Sequence, residues 1–419
     1  MKSRLHIHLV VITLMLLPGA AKAQVTTQRI MENPEVGASI FRPYFFVESE
    51  PVGGGSYKPF YVSHFGRHGS RYFSKPKSWQ QTIEVFDAAA REGILTAEGK
   101  ALYSAIKTIH DEHMDMYGEL APLGGREHRQ IAQRMYARER AVFTSKNRNS
   151  VRCASSVVAR CLVSMANFTE ELSGLAPDLE VSYLAGRRYN NQYLNAPFEY
   201  DFAKEADKVI DSLKFATLRP ESLTRIYFTD AQRAAVLMAD PYALEMGLYY
   251  FWAIAFDLDF LSLDLTEMIP IEELTACCAI DNAIRYAKVA VSEEYGKYTR
   301  IKGVRILKDF VEKADDALRE DSRVAADLRF AHDSAFLPMC ALLGIEGYPV
   351  YSIEEAHKNW NAGEVVPMCS NLQMVFYKVK GEILVKVLVN EKESSLQGLI
   401  PYHGKYYRWA DVRQLIKSL

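Results

Sequence analysis

The sequence predicts an α/β fold, with a mixed-sheet core that carries helices on both faces and an inserted, mainly helical cap domain. An apolar run at 60–65 ends in a polar turn, and alternating apolar residues from 328 run into a second polar turn. Strands are therefore expected near both ends of the chain. Between them, residues 186–255 are rich in tyrosine and show helical spacing without strand alternation. Strands and helices that alternate around a helical middle favour an α/β core with a helical insertion.

The amino terminus, residues 1–23, predicts a secretory signal peptide. A basic start precedes a short apolar segment, and the small residues Ala21 and Ala23 then predict cleavage after Ala23. The apolar segment is too short to cross a bilayer comfortably, and no later segment is long and apolar enough for a transmembrane helix. We therefore expect a secreted or periplasmic protein that makes no membrane contact in its mature form.

The rest of the chain divides into a predicted core and a predicted cap. Residues 24–185 and 256–419 are assigned to the core, with a helical excursion at about 79–140. Residues 186–255 are assigned to the helical cap segment, which would form a wall of a cleft above the sheet. Near the carboxyl terminus, two apolar runs joined at Lys380-Gly381 predict a β-hairpin.

Composition and charge exclude several classes of protein. Of the 419 residues, 49% are hydrophobic and 24% are charged, which is ordinary for a globular protein with a large core. Lysine and arginine together number 50 against 52 acidic residues, for a net charge of −2, so nothing indicates binding to nucleic acid. The six cysteines permit disulfides in an exported protein, but their spacing is not that of a metal site. We predict no metal and no cofactor.

The strongest functional signal is Arg67-His68-Gly69-Ser70-Arg71, directly after the first predicted strand. Arginine is a permanent cation whose planar guanidinium matches two phosphate oxygens at once. An imidazole between two such groups lies where a phosphoryl group would bind. This arrangement suits a nucleophilic histidine that attacks phosphorus while the arginines neutralise the oxygens. On this motif alone, a polar loop in which Gly69 only serves the turn is an alternative.

Two further turns carry polar residues at comparable positions. His332-Asp333 follows a predicted strand and precedes a helical pattern, a place where open α/β sheets build their sites and where a helix amino terminus favours an anion. Asp333 or Ser334 could instead simply cap that helix. Arg160 lies near the start of an amphipathic helix, where a cation opposes the helix dipole. That placement is reasonable if Arg160 faces an anionic ligand, although a solvated surface arginine is common.

Together these three segments resemble the histidine acid phosphatase family, the large branch of the histidine phosphatase superfamily that includes phytases. Within it, the chain is most similar to multiple inositol polyphosphate phosphatases, over nearly all of its length after the signal peptide. The resemblance implies that His68 is the nucleophile and forms a phosphohistidine, and that Asp333 protonates the leaving oxygen. It also implies that four side chains bind the phosphoryl group: Arg67, Arg71, Arg160 and His332.

The identity of the third arginine has alternatives. Arg148 and Arg152 are rivals to Arg160, and the residues before Arg148 also resemble the family's pattern. We prefer Arg160 because Ser164 and Phe168 follow it at four-residue steps.

The substrate is also open. The inositol polyphosphate phosphatases usually read His-Ala-Glu, with the glutamate as proton donor, where this chain reads His332-Asp333-Ser334, as ordinary acid phosphatases do. We predict a secreted phosphomonoesterase that acts on inositol polyphosphates such as phytate. The alternatives are a broad-specificity acid phosphatase or sugar-phosphate phosphatase, and a non-catalytic protein that binds a phosphorylated ligand.

Four further side chains are candidates for substrate binding: Lys75, Arg187, Arg188 and His128. The first three would supply positive charge outside the catalytic arginines. His128 has a simpler interpretation as a histidine on a helix surface. The expected partner is thus a small-molecule phosphate ester.

Overall fold

The computed structural model describes residues 26–48, 57–197 and 201–419. The predicted signal peptide and its cleavage site lie outside the described residues. Within those three ranges, no helix combines the length and the apolar character needed to cross a membrane.

Eight strands of the described residues form one mixed sheet. The strands are β1 (Pro59–Arg67), β2 (Ser150–Ser155), β3 (Glu180–Leu184), β4 (Val324–Ala331), β5 (Asn371–Val379), β6 (Glu382–Val389), β7 (Lys392–Glu393) and β8 (Tyr406–Arg408). Their order is β3-β2-β4-β1-β5-β6-β7, and β8 also pairs with β6. The first four strands of this order are parallel, and the pairs from β1–β5 onward are antiparallel.

Helices connect and cover these strands. In the first half of the chain they are α1 (Thr27–Glu32), α2 (Gln80–Glu92), α3 (Ala97–Glu112), α4 (Pro122–Arg138), α5 (Arg140–Phe143), α6 (Ala159–Leu175), α7 (Arg187–Tyr189) and α8 (Ala203–Thr217). The later helices are α9 (Pro220–Tyr227), α10 (Ala231–Leu237), α11 (Pro241–Ala255), α12 (Ile271–Val289), α13 (Gly296–Ala317), α14 (Asp333–Leu342), α15 (Ile353–Asn359), α16 (Ala362–Val365) and α17 (Trp409–Lys417). Short 3-10 helices lie at Pro34–Phe41, Pro76–Ser78 and Phe256–Leu261, and a π-helical turn at Asn190–Leu194 follows α7.

The central strand β1 packs against helices on both of its faces. Phe65 points to one face, where its ring centroid lies 6.5 Å from that of Phe336 in α14. His64 points to the other face, 5.5 Å from the ring of Phe168 in α6. Because successive strand residues alternate between faces, each face contributes to a separate buried apolar cluster. The predicted fold class, a mixed α/β core with helices on both faces, is confirmed.

The structure contains helices in the predicted cap segment and the predicted β-hairpin near the carboxyl terminus. Residues 203–255 fold into α8 to α11. The boundaries at 185 and 256 between core and cap remain predictions. The hairpin is formed by β5 and β6, and the turn residues Lys380 and Gly381 have φ values of 48° and 87°. Positive φ at both positions matches the twist of a two-residue hairpin turn.

Candidate active site

The polar turns after β1 and β4, and the turn after β2, meet at one edge of the sheet. Because these three strands are parallel neighbours, their carboxyl ends lie together: Arg67 is opposite Ala331, and Ser155 is opposite Phe330. The backbone amide of His68 donates to the carbonyl oxygen of Ala331 at 3.0 Å. The segments that carry the predicted functional residues therefore form a single site at the position expected for an open α/β sheet.

The His68 imidazole is buried and fixed in orientation. Its Nδ1 atom lies 3.0 Å from the carbonyl oxygen of Gly69, and its ring centroid lies 5.7 Å from that of His332. A proton on Nδ1 satisfies the carbonyl, which leaves the lone pair on Nε2. The ring thus presents Nε2 as the nucleophilic atom.

Three guanidiniums, those of Arg67, Arg71 and Arg160, surround this imidazole with positive charge. Burial first, and then repulsion from these groups, lowers the pKa of His68 well below its ordinary value, so the ring is neutral. Burial and repulsion from Arg160 and Arg67 also lower the pKa of Arg71 to about 9. Repulsion between these neighbouring positive charges raises the free energy of the empty site. A bound anion would offset that repulsion.

Each of these arginines is oriented by a backbone carbonyl. The acceptors are the oxygen of Val366 for Arg67 at 2.6 Å, that of Tyr72 for Arg71 at 2.9 Å, and that of Gly118 for Arg160 at 3.3 Å. The Nε atoms of all three are buried and have no hydrogen-bond partner among the described residues. Buried donors are normally paired, so three unpartnered guanidinium donors around one histidine indicate an anion-binding site.

The loop that carries His68 is held from behind by α4 and α6. The amide of Gly69 donates to Ser164 Oγ at 3.1 Å. Glu127 accepts from the amide of Ser70 at 2.8 Å and from its hydroxyl at 2.9 Å. Gly69 also lies against Gly124, where a Cβ atom at Gly69 would be 2.7 Å from the Gly124 Cα. The loop therefore has little freedom to move.

His332 lies at the end of β4 and faces the turn after β2. Its Nε2 atom is 3.1 Å from the hydroxyl oxygen of Ser156. The Cys161 thiol packs 3.8 Å from the same nitrogen. Burial, and then repulsion from Arg160, lowers the pKa of His332 to about 3. The neutral ring is thus held beside His68.

Asp333 is the first residue of α14, and its carboxyl group is partly exposed. One oxygen lies 3.9 Å from Arg67 Nη2, and the other accepts the amide of Ser334 at 2.8 Å. Burial favours the protonated form of this carboxyl, but attraction to Arg67 and Arg285 outweighs it and lowers the pKa of Asp333 overall. The helix amino terminus acts in the same direction. The Asp333 carboxyl group therefore lies in the same site as the arginines.

The two rival arginines lie elsewhere. Arg148 donates to the carbonyl oxygens of Ala317 at 2.7 Å and Val324 at 3.1 Å, at the start of β4 and hence at the opposite edge of the sheet. Arg152 pairs with Asp327 at 2.7 Å in the middle of the sheet. Of the three candidates, the structure brings only Arg160 to His68.

The other predicted substrate-binding cations are exposed, on segments that follow the carboxyl ends of β1 and β3. Lys75 is exposed, and repulsion from Arg285, together with burial of part of the side chain, lowers its pKa. Arg71 adds to that repulsion, so Lys75 lies near the catalytic loop. Arg187 and Arg188 are exposed in α7, which follows β3 at the same edge of the sheet.

The interpretation of His128 as a surface histidine is wrong. Its side chain is buried between α4 and the sheet, with its ring 5.6 Å from that of Phe330. Burial lowers the pKa of His128 to about 3. Helix α4 places this side of its surface on the core, so His128 supports the strand rather than reaching the opening.

Arg285 in α12 is a cation of this site that the sequence did not reveal. Its guanidinium pairs with Asp281 at 2.9 Å, and its central carbon lies 5.5 Å from the ring centroid of Phe41. The guanidinium of Arg71 lies at the same distance from that ring. In the sequence, Asp281 and Arg285 have the i, i+4 spacing of an ordinary ion pair on a helix surface. That spacing does not indicate that α12 brings the pair near Asp333.

Asp257 is a second side chain that the sequence analysis did not assign. It is fully buried, and its carboxyl accepts the amide of Arg71 at 3.4 Å. Burial, and then the nearby charge of Glu127, raises its pKa well above the ordinary value. The sequence contains a sign of this buried position, because Asp257 directly follows the apolar run 249–256, most of which belongs to α11.

The known proteins that resemble this chain are named multiple inositol polyphosphate phosphatases or phytases. No family model matches the chain. Two curated relatives, from Gallus gallus and Homo sapiens, are each named Multiple inositol polyphosphate phosphatase 1. The first is 24% identical over 347 residues and the second 24% identical over 369 residues. The matches cover 78% of this chain in both cases, and 75% and 73% of the relatives.

Solved structures show the same likeness. The Bifidobacterium longum multiple inositol polyphosphate phosphatase, in complex with inositol hexasulfate, superposes with a TM-score of 0.76 at 18% identity, covering 91% of this chain and 97% of that one. The predicted resemblance to multiple inositol polyphosphate phosphatases is confirmed. The phytase from D. castellii superposes with a TM-score of 0.67 at 14% identity, covering 96% and 90% of the two chains. At these identities the structures establish a shared fold. The enzyme class predicted from the sequence, a histidine-type phosphatase, is the class of the two curated multiple inositol polyphosphate phosphatases.

Proposed function

We propose that this chain is an exported phosphomonoesterase that hydrolyses inositol polyphosphates, such as phytate, through a phosphohistidine intermediate. One observation carries the proposal. The neutral imidazole of His68 is enclosed by Arg67, Arg71 and Arg160, whose buried Nε atoms have no partner among the described residues. A phosphoryl group is an anion of the right charge and shape for such donors.

In the first step, the Nε2 lone pair of His68 attacks phosphorus as the bond to the ester oxygen breaks. The three arginines neutralise the charge on the phosphoryl oxygens, and the neutral ring of His332 supplies a hydrogen-bond donor to them. The leaving oxygen takes the proton of Asp333. Without substrate, the arginines keep the pKa of Asp333 low. A bound phosphate neutralises the positive charges of the arginines. Substrate binding therefore raises the pKa of Asp333 and favours its protonated form, which is the general acid.

In the second step, water attacks the phosphohistidine. The Asp333 carboxylate takes a proton from that water, the nitrogen–phosphorus bond breaks, and His68 recovers its lone pair as inorganic phosphate leaves. The same carboxyl group thus donates a proton in the first step and accepts one in the second.

Cations outside the catalytic group support a polyphosphorylated substrate. Lys75 and Arg285 lie beside Arg71, and Arg187 and Arg188 are exposed on the same edge of the sheet. Each phosphate of such a ligand carries roughly −1.5 to −2 charges near neutral pH. The names of the curated relatives support the same substrate class.

Initial rates with three substrates test this function: phytate, glucose 1-phosphate and adenosine monophosphate. We expect phytate to have the highest kcat/KM and its advantage to shrink as salt is added, since exposed charges are screened beyond about 8–10 Å. Equal kcat/KM values would favour a broad-specificity acid or sugar-phosphate phosphatase, which the position of Asp333 directly beside His332 also fits. Binding of phytate without turnover would indicate a non-catalytic binding protein.

Export is the part of the proposal that depends on residues 1–23. The basic start, apolar segment and small residues before Gln24 support it. Amino-terminal mass analysis of the exported protein should find a chain that begins at Gln24. A mature chain that retains Met1 would contradict it.

A further inference from the structure

The turn after β2 places a buried hydroxyl group against the ring of His332. Ser156 directly follows β2, and its backbone amide donates to the carbonyl oxygen of Phe330 in β4 at 2.9 Å. Ser156 is completely buried, and its Oγ atom lies 3.1 Å from His332 Nε2. Because the backbone bond attaches Ser156 to the strand that ends at His332, the hydroxyl and the ring are held together.

The direction of this hydrogen bond follows from the needs of the two groups. A neutral imidazole carries one N–H and one lone pair, so Ser156 either donates to Nε2 or accepts a proton from it. A buried hydroxyl proton needs an acceptor. The sulfur of Cys161 is also near this hydroxyl, but a thiol is a weak acceptor. The lone pair of Nε2 is therefore the favoured acceptor, which requires the ring proton to be on Nδ1.

The other ring nitrogen, Nδ1, makes only a weak contact with the protein. Within the described part of the chain, its polar contact is with the Cys161 sulfur at 3.9 Å. That thiol donates instead to the carbonyl oxygen of Ala331 at 3.4 Å. The ring lies beside the phosphate-binding arginines, since the charges of Arg160 and Arg67 both disfavour its protonated form. A proton on Nδ1 is therefore available to an anion that these arginines bind.

We propose that Ser156 is a positioning residue: its hydroxyl donates to His332 Nε2 and so holds the ring proton on Nδ1, which donates to a phosphoryl oxygen. This inference rests on the proposed function and names the side chain that prepares His332 for it. In the other tautomer, His332 would direct a lone pair at anionic oxygens and repel them. His68 has the same tautomer but presents its other nitrogen. The two neutral rings thus supply a lone pair and a proton to one phosphoryl group.

A double-mutant cycle with p-nitrophenyl phosphate tests whether Ser156 acts through His332. We expect Ser156→Ala to lower kcat/KM about tenfold in the wild-type background, the effect of losing one ordinary hydrogen bond. In the His332→Ala background the same change should have no effect, because the ring that Ser156 positions is gone. The matched control is Ser155→Ala, which removes a buried hydroxyl that donates to the carbonyl oxygen of Ser156 at 2.8 Å. This control should have the same effect in both backgrounds.

Nitrogen NMR of the wild type measures the tautomer itself and stays decisive if Ser156→Ala does not fold. The histidine rings are labelled with a nitrogen isotope, in buffer without phosphate, and the His332 signals are identified by their loss in His332→Ala. We expect Nδ1 to carry the proton in the wild type. In Ser156→Ala the proportion of the other tautomer should rise.

Two results would overturn the inference. One is a proton on Nε2 in the wild type. The other is an equal loss of kcat/KM from Ser156→Ala in both backgrounds, since Ser156 would then act only on the structure of the turn. A wild type with a proton on Nδ1 but no phosphatase activity would overturn the proposed function instead and support the Ser156–His332 bond. An active wild type with a proton on Nε2 would overturn only this inference.

Discussion

Gly69 and Gly124 approach each other so closely that neither position has room for a Cβ atom. A Cβ at Gly69 would lie 2.7 Å from the Gly124 Cα, and one at Gly124 would lie 2.3 Å from the carbonyl oxygen of Ser70. Helix α4 is thus seated directly on the loop that carries His68. The position of the proposed nucleophile depends on a backbone contact between two residues that are 55 positions apart in the sequence.

Gly124→Ala should therefore lower both stability and activity. The new methyl group forces the loop or α4 to move, which typically costs about 1–3 kcal/mol. The matched control is Gly174→Ala in α6, where a Cβ would meet nothing within 4 Å. That change should stabilise the protein by roughly 0.5–1 kcal/mol, as expected for glycine in a helix. Urea unfolding and kcat measure both variants, and a fully stable, fully active Gly124→Ala would contradict the account.

Arg160→Ala should lower kcat/KM by about 10²–10³-fold, the usual effect of removing one donor to the transition state. The reason is that Arg160 is one of three guanidiniums near His68 whose buried Nε atoms have no partner among the described residues. Arg148→Ala is the control, since Arg148 binds carbonyl oxygens at the far edge of the sheet. It should affect stability more than turnover. Both variants are assayed with p-nitrophenyl phosphate. A larger loss of kcat/KM in Arg148→Ala than in Arg160→Ala would identify Arg148 as the third phosphate-binding arginine.

His68 should make the folded state less stable at acid pH. The pKa of His68 is lowered in the folded protein. Below about pH 6.5, His68 is therefore protonated in the unfolded chain but stays unprotonated in the folded protein. Stability linked to this group is present above pH 6.5 and is lost as pH falls toward the lowered folded pKa. The free energy of unfolding of the wild type relative to His68→Ala should therefore decrease as the pH is lowered from 7.5 to 5.5.

Urea titrations at the two pH values, in buffer without phosphate, measure this difference. His403→Ala, which removes an exposed ring, is the control. An identical pH dependence in wild type and His68→Ala would mean that folding does not lower the pKa of His68, against the assignment of a ring that its surroundings keep neutral.

Asp333→Asn should lower kcat by about 10²–10⁴-fold for substrates with poor leaving groups, the range for losing a general acid. The loss in the phosphorylation step should be smaller for p-nitrophenyl phosphate, because p-nitrophenolate leaves without a proton. Single-turnover rates with both substrates separate this step from hydrolysis of the intermediate. Equal losses in that step would assign the donor role to another group.

Local sequence patterns were sufficient for the parts of the molecule that neighbouring residues determine. The strands around His68 and His332 are apolar runs that end in polar turns, and the hairpin at Lys380-Gly381 has its own turn signal. Strand β3 was not predicted, because most of its side chains are exposed and its pairing with β2 is long-range. Arg285 was missed for a related reason: only the packing of α12 brings it near Asp333.

His128 shows the reverse error. Its charged neighbours in the sequence suggest a helix surface, but α4 buries the side that carries His128 and Glu127. Glu127 is buried because it accepts the Ser70 amide, a contact that connects α4 to a loop from a different part of the chain. Charge in the sequence does not reveal such a contact.

Trapping the phosphoenzyme on His68 tests the proposed mechanism most directly. The protein is mixed with p-nitrophenyl phosphate, quenched in alkali, digested and mapped by mass spectrometry, with Asp333→Asn included because slower hydrolysis should increase the trapped fraction. We expect a phosphoryl group on His68 that is stable to base and labile to acid. In His68→Ala, both this group and turnover should be absent. A phosphoryl group on another residue, or near-normal turnover in His68→Ala, would contradict the proposed mechanism.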